Sequence, residues 1–442
     1  MSIHIPTYVQ RACQILNASG FQAYVVGGAV RDSLLGLTPL DWDVATDALP
    51  EQIEKLFART VPTGKRFGTV TAFVDEQSLE ITTLRKDGPY SDGRHPDQVF
   101  FTEDLLQDLS RRDFTINAMA FDPVTEKLID PFKGSKHLKK GLLTTVGNPS
   151  LRFQEDPLRM LRLIRFQSTL GFKVEKKTRL AMEARWIRSV SPERIQAELH
   201  KMLLGKGLAP ALELFYQSSL MEEIVPELAA GLGVSPGDRH PYDLLGHSIM
   251  SAHFVYPTLP LRWAALLHDI GKLHSPLRDH ATIGANMGKT ILSRLRCSNK
   301  LIEEVETLIF HHMFEIHPHS SDRAIRRFMA RVGVDTAFQL VKLRQGDMGG
   351  MNKDPRLIID YGQAMEARFK EVLGQNAALA VNDLAINGQD LMDTFTLKPS
   401  PLIGELLQYL LEQVLIDPKL NQKASLLDLA QNHLKSKLEN DL

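Results

Sequence analysis

Two rhythms of apolar and polar positions divide the 442-residue chain. Up to about residue 148, helical and strand periods interleave. Residues 6–18 repeat apolar side chains at helical spacing and stop near Gly20. Residues 21–26 (FQAYVV) form a short apolar run that predicts a strand leading into Gly27-Gly28. Residues 29–35 predict a helix ended by Gly36, and Asp41-Trp42-Asp43-Val44 alternates acid with apolar. Residues 68–74 and 78–84 predict a strand hairpin, 91–96 (SDGRHP) a loop, and 128–129 another strand. From about Ser150 helical periods run to the end of the chain, punctuated by Gly and Pro. Residues 231–238 (GLGVSPGD) read as a linker, followed by a histidine-rich helical section to about Met351. The tail, 352–442, is helical with breaks at Gly374, Gly388 and 399–401. The pattern predicts an α+β chain: a small mixed α/β head over 1–148, then helical sections over 149–236, 237–351 and 352–442. There is no internal repeat or low-complexity tract.

The length suits two to four domains, and 43% hydrophobic residues suffice for their cores. Cys13 and Cys297 sit in no CxxC or Cys/His spacing, so a disulfide framework is excluded and a reduced, cytoplasmic setting is expected. The N-terminal segment reads as an amphipathic helix rather than a signal peptide, and the absence of a run of about 20 apolar residues predicts no membrane span. A formal net charge of -1 does not mark a nucleic-acid binder globally. Locally, residues 151–206 hold thirteen Lys/Arg against six Asp/Glu, read either as solvated helix faces or as an RNA-facing surface. No protein partner is implied.

The chemistry concentrates in VVGGAVRDSLLG and LDWDVAT. Two glycines between a strand and a helix let the backbone approach a ligand, and the helix start at Gly28 offers N–H groups to phosphate. Arg31 adds a charge-assisted contact. Asp41 and Asp43, two apart, fall on one face if they lie on a strand, with Trp42 and Val44 facing a core. Two carboxylates on one face suit a cation, and hard oxygens suit Mg²⁺. Glu80, on the second hairpin strand, is a third candidate. Against this stands a plain edge strand with chance acids.

GGAVRD followed by DWDVAT resembles the DNA polymerase β-like head of the class II nucleotidyltransferases, the group of CCA-adding enzymes and bacterial poly(A) polymerases. The resemblance implies two-metal chemistry at Asp41 and Asp43, one metal activating an RNA 3′-hydroxyl and the other holding a nucleoside triphosphate. RRDFTINA (residues 111–118) resembles the family segment that holds the ribose, with Arg112, Asp113 and Asn117 as its candidates. The plainer reading is a helix start capped by Asp113 or Thr115. Glu155-Asp156-Pro157-Leu158-Arg159 matches ED-x-x-R, which in this family acts as a protein template. Asp156 and Arg159, three apart on a predicted helix, would offer an acceptor and a forked donor to the base edge of C or A. Arg162 and Arg165 continue that face toward the triphosphate. Residues 191–201 (SPERIQAELHK) resemble the neck segment, read as structural: Ser191 N-cap, Pro192 at the first helical position, and an Arg194–Glu198 pair.

Within that family, Gly68-Thr69-Val70 after Thr63-Gly64 favours CCA addition over polyadenylation, despite the basic Lys65-Arg66. The loop over residues 85–100 is complete, unlike that of relatives that add only CC; relatives that add only A remain open. Residues 386–391 and 398–404 resemble the tail of CCA-adding enzymes, with Ser400 where the family has Gly. The implied partners are tRNA, CTP and ATP. His247, His268-Asp269 in LLHDIGK and Asp347 in RQGDMGG resemble the HD superfamily, and His280, His311 and His312 could enlarge the set. Imidazoles with carboxylates suit a transition metal. That section is then either a metal-dependent phosphohydrolase acting on RNA ends or a helical module that grips tRNA.

Overall fold

The computed structural model describes residues 3–88, 98–237, 241–275, 279–375 and 378–440. The chain forms two compact units, Met1–Ala229 with Arg294–Cys297, and Ala230–Ser293 with Ser298–Leu442. The first crossing between them, Ala229 to Ala230, lies just ahead of the stretch 231–238 expected to be a linker, and the chain crosses again on either side of Arg294–Cys297.

In the first unit the head opens with α1 (Thr7–Ala18), whose buried Val9, Ala12, Cys13 and Leu16 form one helical stripe. There follow β1 (Ala23–Val26), α2 (Gly28–Leu34), β2 (Asp43–Thr46), α3 (Pro50–Leu56), β3 (Thr60–Gly64), β4 (Thr69–Val74) and β5 (Gln77–Thr83). After these come β6 (Arg85–Asp87), β7 (Val99–Phe101), α4 (Leu105–Ser110), β8 (Ala120–Asp122), β9 (Lys127–Ile129) and α5 (Gly134–Lys139). Seven strands make one mixed sheet in the order β3-β4-β5-β2-β1-β8-β9. Only β2 and β5 run parallel; the other ladders in this sheet are antiparallel. In β4 burial alternates residue by residue through Thr69–Val74, the period-2 signature of a strand with one face on the core. The expected hairpin is β4–β5, paired from Thr69↔Thr82 to Val74↔Gln77. The loop expected over 91–96 lies outside the described residues; β6 and β7 pair antiparallel on either side of it.

The first unit continues in helices: α6 (Pro149–Glu155), α7 (Leu158–Leu170), α8 (Lys176–Leu180) and α9 (Pro192–Leu203). Asn148 caps α6 by accepting from the Ser150 N–H, with Pro149 at the first helical position. α7 ends at Gly171, which takes the left-handed conformation at φ 71°. Pro157 separates α6 from α7, so the expected single helix through ED-x-x-R is two. Asp156 lies in the gap with extended backbone (φ -142°, ψ 99°), because the residue before a proline is disfavoured in a helix.

The second unit is helical. Leu244–Phe254 packs against Val334–Gly350, and Leu259–Leu267 lies against Asn299–His311. Gly346, Gly349 and Gly350 make the first contact possible. A Cβ on Gly346 would stand 2.7 Å from Val255 Cβ, one on Gly349 2.5 Å from Phe254 Cβ, and one on Gly350 2.8 Å from His247 Nδ1. The tail has its own core, with Leu406, Leu410 and Val414 of Pro401–Ile416 packed among Leu391, Leu426 and Ala430. Among the described residues, no helix is long and apolar enough to cross a membrane.

Candidate active site

β1 delivers the chain to Gly27, whose φ of 74° and ψ of -131° suit glycine. A Cβ there would meet Arg112 Nη1 at 3.1 Å and Asp43 Oδ2 at 3.7 Å, so the bare backbone makes room for both groups. Arg31, one turn into α2, is braced: its Nε donates to Asp32 Oδ1 at 2.7 Å and its Nη1 to Asn117 Oδ1 at 2.8 Å.

Asp43 is the first residue of β2 and stands opposite Val26 on β1 and Glu80 on β5. The sheet register therefore brings Asp43 and Glu80 side by side. Asp41 is exposed and precedes the strand, which corrects the expectation of one strand carrying both acids on a shared face. Trp42 between them is buried, at 7% exposure. Burial, then the Glu80 charge, pushes the Asp43 carboxyl up to about 6; Arg112 pulls it down, and Asp41 adds to the rise. A carboxylate displaced in this direction sits in a field that favours a cation or a proton.

The RRDFTINA segment folds differently from its reading as a capped helix. Thr115–Asn117 is a single 3₁₀ turn with Phe114 at its N-cap, and neither Asp113 nor Thr115 caps it. Asp113 instead accepts from Arg162 Nε at 2.8 Å, from Asn117 Nδ2 at 3.1 Å and from the Phe114 N–H at 2.7 Å. Burial would raise Asp113, but the Arg162 guanidinium and the Asn117 amide override it and hold the carboxyl well below the usual range. Arg111 and Arg112 both bind Asp108, at 2.7 and 3.1 Å. Asp108 is 1% exposed. The sequence reading missed it; its only signal is its place three and four residues before two arginines.

Asp156 and Arg159 are each held by a separate partner. Arg159 donates to Glu155 Oε2 at 2.7 Å and to the Arg111 carbonyl at 3.1 Å. Asp156 accepts from the Leu158 N–H at 3.1 Å and from Arg194 Nη2 at 2.9 Å. Arg194 thus reaches across to Asp156, and the expected Arg194–Glu198 pair is not formed. Glu198, 6% exposed, faces Arg165 Nε at 2.9 Å and Arg162 Nη1 at 3.7 Å. Ser191 and Pro192 do stand at the N-cap and first helical positions of α9. The Phe166 ring, also missed, carries Arg165 at 3.9 Å, Arg31 at 5.1 Å and Arg162 at 5.8 Å from its centroid. Arg31, Asn117, Asp113, Arg162, Glu198 and Arg165 are thus joined, pair by pair, into one charged network with Phe166 within it, while Arg112 is held apart from it on Asp108. Such a network can take polyanionic phosphates against a rigid frame.

In the second unit His247, His268, Asp269 and Asp347 converge as expected. His247 Nε2 stands 3.3 Å from Asp347 Oδ1, 3.5 Å from Asp269 Oδ2 and 3.2 Å from His268 Nε2. His268 Nε2 stands 3.4 Å from Asp269 Oδ2. His280 and His312 join the cluster, at 3.7 and 3.6 Å from Asp269 Oδ1. His311 does not: it packs edge-on to Phe310, 4.9 Å between centroids. The glycine contacts of the helix Val334–Gly350 bring Asp347 up to His247. Burial opposes a charge on His268, but Asp269 and Asp347 outweigh it and raise its pKa.

A mixed head sheet with carboxylates on adjoining strands beside a glycine turn, followed by helices carrying arginines, defines a nucleotidyltransferase. Residues 23–144 match the family described as Poly A polymerase head domain. Residues 171–232 match the RNA and SrmB-binding site of polymerase A, and 277–430 match tRNA nucleotidyltransferase domain 2. The CCA-adding enzyme of Bacillus subtilis (strain 168) is 35% identical over 93% of this chain and 94% of its own length. That of Ligilactobacillus salivarius (strain UCC118) is 34% identical over 98% and 99%. The crystal structure of the Bacillus stearothermophilus CCA-adding enzyme in complex with CTP superposes with a TM-score of 0.76 at 27% identity, covering 98% of both chains. The chain belongs to the CCA-adding enzyme family.

Proposed function

We propose that the chain adds C, C and A in turn to the 3′ end of tRNA, using CTP and ATP and releasing pyrophosphate. The observation that carries this reading is kinship with CCA-adding enzymes over nearly the whole chain, in a head that sets Asp43 beside Glu80 and within reach of the Asp41 charge. The raised Asp43 carboxyl fits a site for divalent cations, and its oxygen-only donors fit Mg²⁺. Asp41 and Asp43, with Glu80 beside them, would hold the metal, which when bound supplies charge neutralisation at the reacting phosphate. The braced arginines Arg31, Arg162 and Arg165 receive the triphosphate near Gly28. Asp113 and Asn117 orient the sugar, while Arg112 balances the acidic cluster. Asp156 and Arg159 read the base edge. The chain divides into a catalytic head (1–148), a neck and body for base reading and RNA (149–236), an HD module (237–351) and a tRNA-binding tail (352–442), and works in the cytoplasm.

The test offers the protein three labelled tRNAs, ending before CCA, after C and after CC, with CTP and ATP singly and together in Mg²⁺. Ordered addition that stops at CCA, lost in Asp41→Ala, is the expected result. Addition of CC alone or A alone makes it a partial enzyme, a long A tract a poly(A) polymerase, and retained addition in Asp41→Ala overturns the metal assignment.

The histidine–aspartate cluster supports a second activity, in which the HD module binds a transition metal and hydrolyses phosphate from RNA 3′ ends. Hydrolysis of a 2′,3′-cyclic phosphate that persists in Asp41→Ala but not in Asp269→Ala is expected. If neither protein hydrolyses it, the module is a helical grip on tRNA.

A further inference from the structure

We infer that Asp108 is a positioning residue that clamps Arg112, holding its guanidinium back from the acids around Asp43 so that they stay open to a divalent cation. This rests on the reading of Asp41, Asp43 and Glu80 as the cation site and names a residue on which that site depends. Asp108 lies on α4 and is 1% exposed. A carboxylate so deeply buried stays charged only where its charge is met. Here each oxygen takes the fork of one arginine. Oδ1 accepts from Arg111 Nε and Nη2 at 3.0 and 2.7 Å, and Oδ2 accepts from Arg112 Nε and Nη2 at 3.3 and 3.1 Å. Burial would raise the Asp108 carboxyl, but Arg112 and then Arg111 hold it below the usual range.

The two arginines differ in what else holds them. Arg111 Nη1 has Asp87 Oδ2 at 3.6 Å as a second carboxylate. Among the described residues, the ion pair of Arg112 is with Asp108 alone. Loss of Asp108 therefore falls first on Arg112. The remaining nitrogen of Arg112, Nη1, points at the Gly27 turn. A Cβ on Gly27 would stand 3.1 Å from this Nη1 and 3.7 Å from Asp43 Oδ2, and apart from adjoining backbone no other described group comes within 4 Å of that point. Arg112 and Asp43 thus face each other across the room of one methyl group without pairing, and Glu80 stands next to Asp43 in the sheet. A guanidinium matches a carboxylate in shape and charge, so a released Arg112 would close on these acids. It would then compete with the cation for the same oxygens. Opening one charged hydrogen bond costs an equilibrium at least about tenfold.

The test titrates Mg²⁺ into the nucleotide-free full chain by calorimetry, with Asp43→Asn as the blank so that ions bound elsewhere cancel. Asp108→Asn should weaken Mg²⁺ binding about tenfold, and adding Arg112→Gln to it should restore binding to within about threefold of the parent. Arg112→Gln alone should bind Mg²⁺ no more weakly than the parent. Circular dichroism shows that each variant is folded. Unchanged affinity in Asp108→Asn overturns the clamp. Equal weakening with and without Arg112 also overturns it, because that is the mark of a purely structural role. Weaker binding in Arg112→Gln alone does the same, and this arm stands even if Asp108→Asn fails to fold. A parent with no signal above the blank overturns the reading of Asp43 as a cation ligand, and the clamp with it.

Discussion

Asp43→Asn tests the head electrostatics in a way that does not depend on catalysis. The substitution keeps the shape of the side chain and removes its charge. In the metal-free protein Asp43 titrates at about 6 against an ordinary value of 3.8, because burial and then Glu80 disfavour its ionised form. At about 1.4 kcal/mol for each tenfold change in proton affinity, the folded state bears about 3 kcal/mol for keeping this group charged. The sign follows from linkage. Below pH 3.8 the group is protonated in both folded and unfolded chains and costs nothing. As pH rises through about 6 the unfolded chain ionises first, so the fold loses stability across that window and the full cost stands above it. Asp43→Asn should therefore stabilise the metal-free protein at pH 8 by about 1–3 kcal/mol, the lower figure allowing for partial solvent screening. In a domain of this size that is a rise of roughly 3–10 °C in the melting temperature. At pH 4.5 the gain should shrink to about a third. Thermal melts in EDTA at the two pH values, with and without added Mg²⁺, make the measurement. Mg²⁺ should stabilise the parent more than the variant. A variant no more stable than the parent at pH 8 in EDTA would refute the reasoning.

Three further perturbations follow from the braces around the arginines and from the second unit. Arg194→Ala releases Asp156 without touching it and should lower the ratio of kcat/KM for CTP over ATP several-fold, less than Asp156→Ala or Arg159→Ala does; an unchanged ratio in all three would remove the base-reading role. Glu198→Gln leaves Arg162 and Arg165 facing a neutral group in a nearly closed site and should cost about 3 kcal/mol in denaturant unfolding. A loss below about 0.5 kcal/mol would mean that the two arginines are held by other contacts. A Cβ on Gly271 would overlap the His280 carbonyl and stand 2.7 Å from Gly284 N, so Gly271→Ala should lower the melting temperature of the second unit and displace His280. Unaltered melting and metal retention would contradict that packing.

Features written in short-range sequence were the legible ones. Of the head strands, β1 announced itself as an apolar run, β2 by its alternation of acid and apolar, and β4, β5 and β9 as strand runs, while β3, β6, β7 and β8 went unread; the Gly27-Gly28 turn and the Asp43 carboxylate stood out by their neighbours. Resemblance then ordered the motifs. The partners of the arginines were not legible, because an i,i+4 pair and a contact 38 residues away look alike in one dimension. Arg194 had Glu198 at helical spacing, yet it binds Asp156, while Glu198 turns to the arginines of α7. The break in ED-x-x-R did have a signal: Pro157 disfavours helix at Asp156, and that local rule outweighs the helical period read through it. The glycines of RQGDMGG carried a further one. Three of them on one helix serve close packing, and without that contact Asp347 would not reach His247. The choice between His311 and His312 also follows from helix geometry. Neighbouring residues point about 100° apart, so only one of two adjacent histidines can face a shared site. The residue after the helix Asn299–His311 takes that direction, and its Nδ1 bond to the Ile309 carbonyl fixes the ring there. Sequence thus names the candidates for a ligand set, but the helix phase and the carbonyl within reach decide which of them can serve.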